Sequence, residues 1–144
     1  MSTAERLYTP ELLALTLRLA EYPWDDALPL FGEARSKSCG STLAMGLALD
    51  SAGRIGRISL RARACAVGQA SAAIFADAAK GMTREEIQQT HDGLINWLAG
   101  DGALPDWPGI AAIEAARSFP GRHGAMLLPW QAALAALSSA QPSV

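Results

Sequence analysis

Residues 39–65, CGSTLAMGLALDSAGRIGRISLRARAC, decide the fold, because they carry a β-hairpin pattern with a cysteine at each end. The first half alternates large apolar residues with small ones, and residues 50–53 supply the polar and glycine residues of a turn. The second half alternates a polar set, Arg57, Ser59, Arg61 and Arg63, with an apolar set, Ile58, Leu60, Ala62 and Ala64. This period of two predicts a pair of antiparallel strands with one solvent-exposed face and one face toward a core.

The hairpin also predicts where the two cysteines lie. Because the open ends of an antiparallel pair are adjacent, Cys39, before the first strand, and Cys65, at the end of the second, are expected to meet. Cys39 is flanked by polar residues and Gly40, and Cys65 opens a segment of very small residues, 66–73. That segment predicts a helix, whose positive N-terminus favours the thiolate form of a cysteine. The alternative is that both cysteines pack as small hydrophobic residues.

The segments on either side of the hairpin predict helices. Residues 9–11, Thr-Pro-Glu, combine an N-cap, a first-turn proline and an acidic residue, and predict a helix to about Ala20. The helix after Cys65 is expected to run to about Lys80, with Gly81 following its end. Residues 83–86 form a capping-box sequence, and the helix that they open carries a stripe made of Ile87, His91, Leu94, Ile95 and Leu98. On that stripe, His91 is predicted to be a packed histidine rather than a ligand.

The remaining segments complete an α+β pattern. Residues 21–32 are predicted to form a loop, and residues 33–38 a strand. A short helix is expected from Trp107 to about Arg117, a turn at residues 118–121, and a last helix over roughly residues 122–137. The order of helix, small sheet and helices predicts a single domain in which about three antiparallel strands pack against helices.

Composition limits the possible functions. The chain has 144 residues, of which 50% are apolar and 18% charged, as in a globular domain. Its net charge of -2 argues against a nucleic-acid-binding protein. It has no apolar run of about 18 residues that would span a membrane, and Glu5 and Glu11 stand where a signal peptide would be basic. We therefore expect a cytoplasmic protein, in which the two cysteines are free thiols or ligands rather than a disulfide.

The order of these motifs resembles the U-type iron–sulfur cluster assembly scaffolds, namely the NifU N-terminal domain, IscU and SufU. The similarity is carried by Cys39-Gly40, the hairpin, the step at Cys65 into a helix rich in alanine and serine, the Lys80-Gly81 pair and the segment 119–134. It covers most of residues 33–137. The resemblance implies that residues 1–144 form one NifU N-terminal-like scaffold domain.

The resemblance also implies a ligand set from which this chain departs. Family members hold zinc or a nascent cluster with three cysteines and the aspartate of a Cys-Gly-Asp motif. Cys39 and Cys65 match the first two cysteines, whereas Ser41 replaces the aspartate and Ala125 the third cysteine. His123, near the start of the last helix, is a candidate third ligand; the alternative is that it is a surface histidine in a turn.

The resemblance implies a protein that binds and delivers a transient iron–sulfur cluster, or zinc, and is not an enzyme. Its partners would be a cysteine desulfurase and iron–sulfur acceptor proteins, and two subunits could each give two cysteines to one [2Fe–2S] cluster. Two alternatives remain open. The chain is either a degenerate relative that binds and modulates an assembly partner, or a zinc-supported sulfur acceptor with a persulfide on one cysteine. The arginine face of the hairpin is either a solvated surface or a docking site for an acidic partner.

Overall fold

The computed structural model describes residues 7–139, which fold into a three-stranded antiparallel sheet with helices packed against it. This architecture confirms the predicted α+β class. The helices are α1 (Pro10–Leu17), α2 (Ala66–Ala79), α3 (Arg84–Leu98) and α4 (His123–Ser138), and the strands are β1 (Leu30–Arg35), β2 (Thr42–Leu49) and β3 (Ile55–Arg63). Short 3-10 helices cover Arg18–Glu21, Ile110–Ser118 and Pro120–Arg122.

The strands lie side by side in chain order, with β2 in the centre. Thr42 pairs with Arg35 on one side and with Arg63 on the other, so the end of β1, the start of β2 and the end of β3 lie at the same edge of the sheet. The inner face of β2 carries Leu43, Met45 and Leu47, all buried as the alternation predicts, whereas Leu49, expected on the same face, is 37% exposed at a register shift near the end of the strand. The cysteine-bearing segments before β2 and after β3 both leave the sheet at this edge.

Helix α4 crosses the inner face of the sheet at very short range. A β-carbon added to Gly32 of β1 would lie 2.2 Å from the carbonyl oxygen of Ala132, so strand and helix touch backbone to backbone. Trp130 of α4 packs in the core with Phe75 and Trp107, and the ring centroids lie 5.3 to 5.4 Å apart. Because α4 contacts both the sheet and α2, it fixes how the sheet edge and the start of α2 meet.

Several sequence expectations need correction. Ser59 was predicted on the solvent-exposed face of the hairpin but is buried, because the segment before β1 brings Leu28 over the neighbouring Gly46. On α3, Ile95 is 43% exposed and Trp97 takes its place in the core. Residues 30–32 belong to β1 rather than to a loop, because they pair with β2 from Leu47 to Met45.

The predicted helix ends around residues 81–83 agree with the structure. The capping box at Thr83 is present, and Gly81 follows α2 with a positive φ of 85°. The segment predicted as a helix from Trp107 is a 3-10 helix that begins at Ile110.

None of the helices within residues 7–139 is long and apolar enough to cross a membrane. Glu5, used in the signal-peptide argument, lies outside the described residues.

Candidate functional site

Residues 36–41, here called the cysteine loop, form the tight turn between β1 and β2. The backbone N–H of Ser36 donates to the carbonyl of Ser41 at 2.8 Å, and the N–H of Gly40 donates to the carbonyl of Ser36 at 2.9 Å. Gly40 has φ +71°, a left-handed conformation that glycine adopts without strain. The turn therefore presents Cys39 at the sheet edge, beside the end of β3.

The side-chain oxygen of Ser41 contacts both cysteine residues. It lies 3.1 Å from the Sγ of Cys39 and accepts the backbone N–H of Cys65 at 3.2 Å. Ser41 is only 4% exposed, so these contacts are shielded from water. Cys65 occupies the N-cap position of α2, and both cysteines are half-buried free thiols. The hairpin thus gathers the two cysteine residues around one hydroxyl, as expected from its pattern.

The surroundings of Cys39 favour its thiolate. Burial raises the pKa of the Cys39 thiol, but hydrogen bonds from the Ser36 and Ser41 side chains, the Ser41 backbone and the charge of Arg122 together lower it from 9.0 to about 7. The Ser36 hydroxyl lies 3.4 Å from the Cys39 sulfur. A hydroxyl that donates to the thiolate stabilises its charge, so more of this thiol is ionised near neutral pH than of an ordinary cysteine.

Arg122 supplies the positive charge of the site. A hydrogen bond with Tyr8 and the nearby thiols of Cys65 and Cys39 raise the pKa of Arg122. The guanidinium therefore lies within electrostatic range of both sulfurs. It stabilises a negative charge on Cys39 without occupying a coordination position, since a guanidinium cannot lose its proton to become a ligand.

The first turn of α4 packs against the cysteine loop. The hydroxyl of Ser38 donates to the carbonyl of Gly121 at 3.1 Å, and a β-carbon added to Gly124 would lie 2.5 Å from the Ser36 Oγ. Ser36 is 3% exposed as a result. The last helix therefore fixes the hydroxyl groups that surround Cys39.

The structure does not bring His123 to the cysteines as a third ligand. Its Nε2 lies 2.7 Å from the carbonyl oxygen of Arg117, and because a carbonyl only accepts, this nitrogen carries the proton. Within residues 7–139, no three His, Cys, Asp or Glu side chains are grouped so that they could hold a metal ion. His91 is half-buried on α3, with Nδ1 3.2 Å from Asp92, consistent with the predicted packed histidine.

Ala125, which stands where the third cysteine of the resembling family is expected, is fully buried. A β-carbon on Gly68, in the first turn of α2, would lie 3.6 Å from the Ala125 β-carbon. This position therefore lies beside the helix that Cys65 begins. The chain keeps the framework of the site, but the side chain here is a methyl group rather than a thiol.

Sequence reasoning missed three residues around the thiols, namely Tyr8, Ser36 and Arg122. The serines at positions 36, 38 and 41 carried a detectable signal, because hydroxyl-rich sequence around a cysteine is suited to hydrogen bonding with a thiolate. Tyr8 and Arg122 carried none, since they come from distant segments that meet only in the folded chain.

Comparisons with known proteins place the fold. No protein-family model matches the sequence, and no curated protein matches it. Among solved structures, the chain is similar to the N-terminal part of a nitrogen-fixing NifU-like protein from Brucella abortus, with TM-score 0.83 and 24% identity over 95% of this chain and 96% of the other.

Two further solved structures are similar. One is a SufU protein from Fervidobacterium islandicum, proposed as an iron–sulfur cluster assembly scaffold for the SUF system, with TM-score 0.80 and 20% identity over 93% of this chain and 98% of the other. The other is described only as a hypothetical protein, with TM-score 0.65 and 20% identity over 88% and 96% of the two chains. The resemblance indicated by the sequence motifs is therefore confirmed at the level of the fold, which is that of NifU-like and SufU proteins.

Proposed function

We propose that this protein is an iron–sulfur cluster assembly scaffold-like protein in which Cys39 and Cys65 bind iron or a nascent cluster as cargo. The observation that carries the proposal is the shared contact of both cysteine residues with the Ser41 hydroxyl, in a chain with the NifU and SufU fold. Soft thiolates are the ligands that iron–sulfur clusters use, and a half-buried site shields a cluster from solvent.

The number of ligands then requires a second contributor. A [2Fe–2S] cluster is held by four thiolates, and this chain has two cysteines. A closed zinc site also needs four ligands, and the residues of the described segment 7–139 provide no group of three in one chain. Zinc therefore does not fit one chain alone. We infer that two subunits, or one subunit and a partner protein, complete the site, and that its open side serves transfer.

A second candidate function is favoured by the lowered pKa of the Cys39 thiol, about 7. In this function Cys39 accepts sulfur from a cysteine desulfurase. The Cys39 thiolate attacks the outer sulfur of the desulfurase persulfide, the sulfur–sulfur bond there breaks, and the desulfurase cysteine leaves as a thiolate. Cys39 then carries the persulfide, and no external oxidant or reductant is consumed. In both functions the protein binds and delivers its cargo, and we propose that it does so in the reducing cytoplasm.

Metal and sulfide analysis after anaerobic purification tests the first function. Absorption spectra are recorded before and after ferrous iron and sulfide are added to the wild type, Cys39→Ser, Cys65→Ser and His123→Ala. We expect about half a [2Fe–2S] cluster per chain, with a dimeric elution volume, in the wild type and in His123→Ala. Both serine variants should lose the cluster. Equal metal content in all four proteins would exclude the assigned ligands.

A second assay separates the remaining functions. After incubation with a cysteine desulfurase and cysteine, persulfide is trapped by alkylation and located by mass spectrometry. Persulfide on Cys39 that persists in Cys65→Ser supports the sulfur-acceptor function. If neither metal nor persulfide is bound but desulfurase turnover changes on addition of the protein, the chain is a modulator of that partner.

A further inference from the structure

The outer face of the sheet contains a cleft that the thiol site does not use. It is about 350 Å³ in volume and is lined by Glu33, Thr42, Ala44, Arg61 and Arg63, here called the arginine cleft. Ala44 lies on its floor between Glu33 and Arg61, because it pairs with both across the sheet. The small side chain of Ala44 leaves the space between the longer side chains open.

Positive charge is concentrated on this face. Arg35, Arg57, Arg61 and Arg63 all project from its strands, four of the twelve cationic residues in a chain of net charge -2. Arg57 is paired with Asp25 at 3.0 Å. Within residues 7–139, the other three lie within 4.0 Å of no carboxylate, so their charges are available to a ligand.

An aromatic pair adjoins the arginine cleft. The guanidinium of Arg61 lies 4.3 Å from the centre of the Trp24 ring, and the edge of Trp24 meets Phe31 with centroids 5.9 Å apart. Phe31 is 49% exposed, although it is large and apolar. The stacking holds the Arg61 side chain in place, and exposed aromatic and arginine side chains together are typical of the residues that dominate protein interfaces.

From this arrangement we propose that the arginine cleft docks an acidic segment of a partner protein, with an apolar side chain of that segment against Phe31. The guanidinium group of an arginine recognises a carboxylate through two parallel hydrogen bonds. The net negative charge of the chain disfavours a nucleic-acid backbone. Arg63 is two residues before Cys65 and pairs with Thr42, which follows Ser41, so the docked segment lies beside the thiol site.

A binding assay with defined probes tests the proposal. Fluorescence anisotropy is measured with a labelled peptide of about twelve residues rich in glutamate around one leucine, a glutamine-for-glutamate version, and single-stranded DNA. The full chain should bind the acidic peptide at low salt, at least about tenfold more tightly than either other probe, and added salt should weaken this binding. Absent binding, equal binding of the glutamine peptide or preference for DNA would each overturn the proposal.

Variants locate the binding surface. Arg61→Gln/Arg63→Gln should lower affinity at least about tenfold, whereas Lys80→Gln/Arg84→Gln, the same charge change near the opposite end of β3, should alter it less than about twofold. Equal effects of the two pairs would overturn the assignment. Arg61→Glu/Arg63→Glu should instead bind a lysine-rich peptide, which shows that a folded surface remains. Cys39→Ser should keep full peptide affinity, so the result does not depend on metal or sulfur binding.

Discussion

Gly124 lies so close to Ser36 that a β-carbon at position 124 would stand 2.5 Å from the Ser36 Oγ. The β-carbon of Ser36 would also be only 3.3 Å away. Since the same hydroxyl lies 3.4 Å from the Cys39 sulfur, the first turn of α4 determines one of the hydrogen bonds that stabilise the thiolate. A residue with no side chain, far along the sequence, therefore packs against the hydroxyl that bonds to the cysteine.

Gly124→Ala should therefore raise the pKa of the Cys39 thiol, because the Ser36 hydroxyl has to turn away from the sulfur. We expect alkylation by iodoacetamide at pH 7 to slow by roughly threefold. Gly121→Ala is the matched control, since a β-carbon there meets nothing within 4 Å. An unchanged rate in Gly124→Ala would show that the helix does not act through Ser36.

Ser41→Ala should affect both cysteine residues at once. It removes a hydrogen bond to the Cys39 sulfur, which raises the pKa of that thiol, and it leaves the backbone N–H of Cys65 without its acceptor. The lost acceptor should lower the free energy of unfolding by about 1 kcal/mol, measured by urea denaturation. Ser38→Ala removes a hydroxyl that bonds to the Gly121 carbonyl and to the Ser36 hydroxyl rather than to the sulfur itself, so it should lower thiol reactivity less than Ser41→Ala does. The reverse order of effects would contradict this assignment.

The Cys39 thiol should give the protein a defined pH dependence. In Cys65→Ser, alkylation of Cys39 should rise about tenfold between pH 6 and pH 8, since the thiolate fraction increases through a pKa of about 7. Because this folded-state pKa lies below the ordinary 9.0, the unfolded chain binds more protons between about pH 7 and 9. Stability from this group should grow over that window and be lost as the pH falls through 7. A reactivity midpoint near 9 would refute the hydrogen-bonded thiolate.

Ser41→Asp combined with Ala125→Cys should create a stronger metal site around Cys39 and Cys65. The two changes add a carboxylate and a thiolate at positions that lie beside Cys39 and the first turn of α2. Zinc affinity, measured by competition with a chelator, should increase by at least about a hundredfold, since each added ligand contributes about tenfold or more. Ser38→Asp with Ala125→Cys controls for added charge in the same loop. Equal affinity in both double variants would mean that position 41 does not face the metal.

Gly32→Ala should strongly destabilise the fold. Its β-carbon would lie 2.2 Å from the carbonyl oxygen of Ala132 and 2.3 Å from the backbone nitrogen of Ala136, and backbone atoms cannot turn aside. We expect a loss of about 3 kcal/mol in the free energy of unfolding, with α4 displaced from the sheet. Gly56→Ala, in β3, meets its nearest neighbour at an ordinary 3.6 Å and should be neutral. A stable Gly32→Ala protein would require a different packing of α4.

The hairpin was predictable because its two halves carry period-two patterns around a turn, although these patterns do not show the register shift between Ala48 and Leu49. The burial of Ser59 and the exposure of Ile95 were not predictable, because a simple alternation or helical stripe does not show which neighbouring segment covers a residue. Leu28 comes from a loop, and its contact with Gly46 closes a part of the sheet that the pattern left open to water.

The candidate site was predictable to the same extent as the hairpin. Cys39 and Cys65 are brought to one edge by strand pairing, which the sequence shows directly. The contribution of Arg122, the proton on Nε2 of His123 and the contact of Gly124 all depend on how α4 packs. Long-range packing of a helix leaves no local pattern, so the ligand role predicted for His123 could not be judged from the sequence alone.

The contact between α4 and the cysteine loop also sets an order of events during synthesis. The ribosome completes Cys39 and Cys65 well before Gly124, which follows Cys65 by 124 − 65 = 59 residues. At translation rates of about 5–20 residues per second, roughly 3 to 12 s separate the two. Throughout that interval the growing chain carries both sulfurs without the helix that orients Ser36 or the charge of Arg122. A nascent chain should therefore have a less ionised Cys39 thiol than the folded protein, and the proposed site is complete only after the last helix has docked.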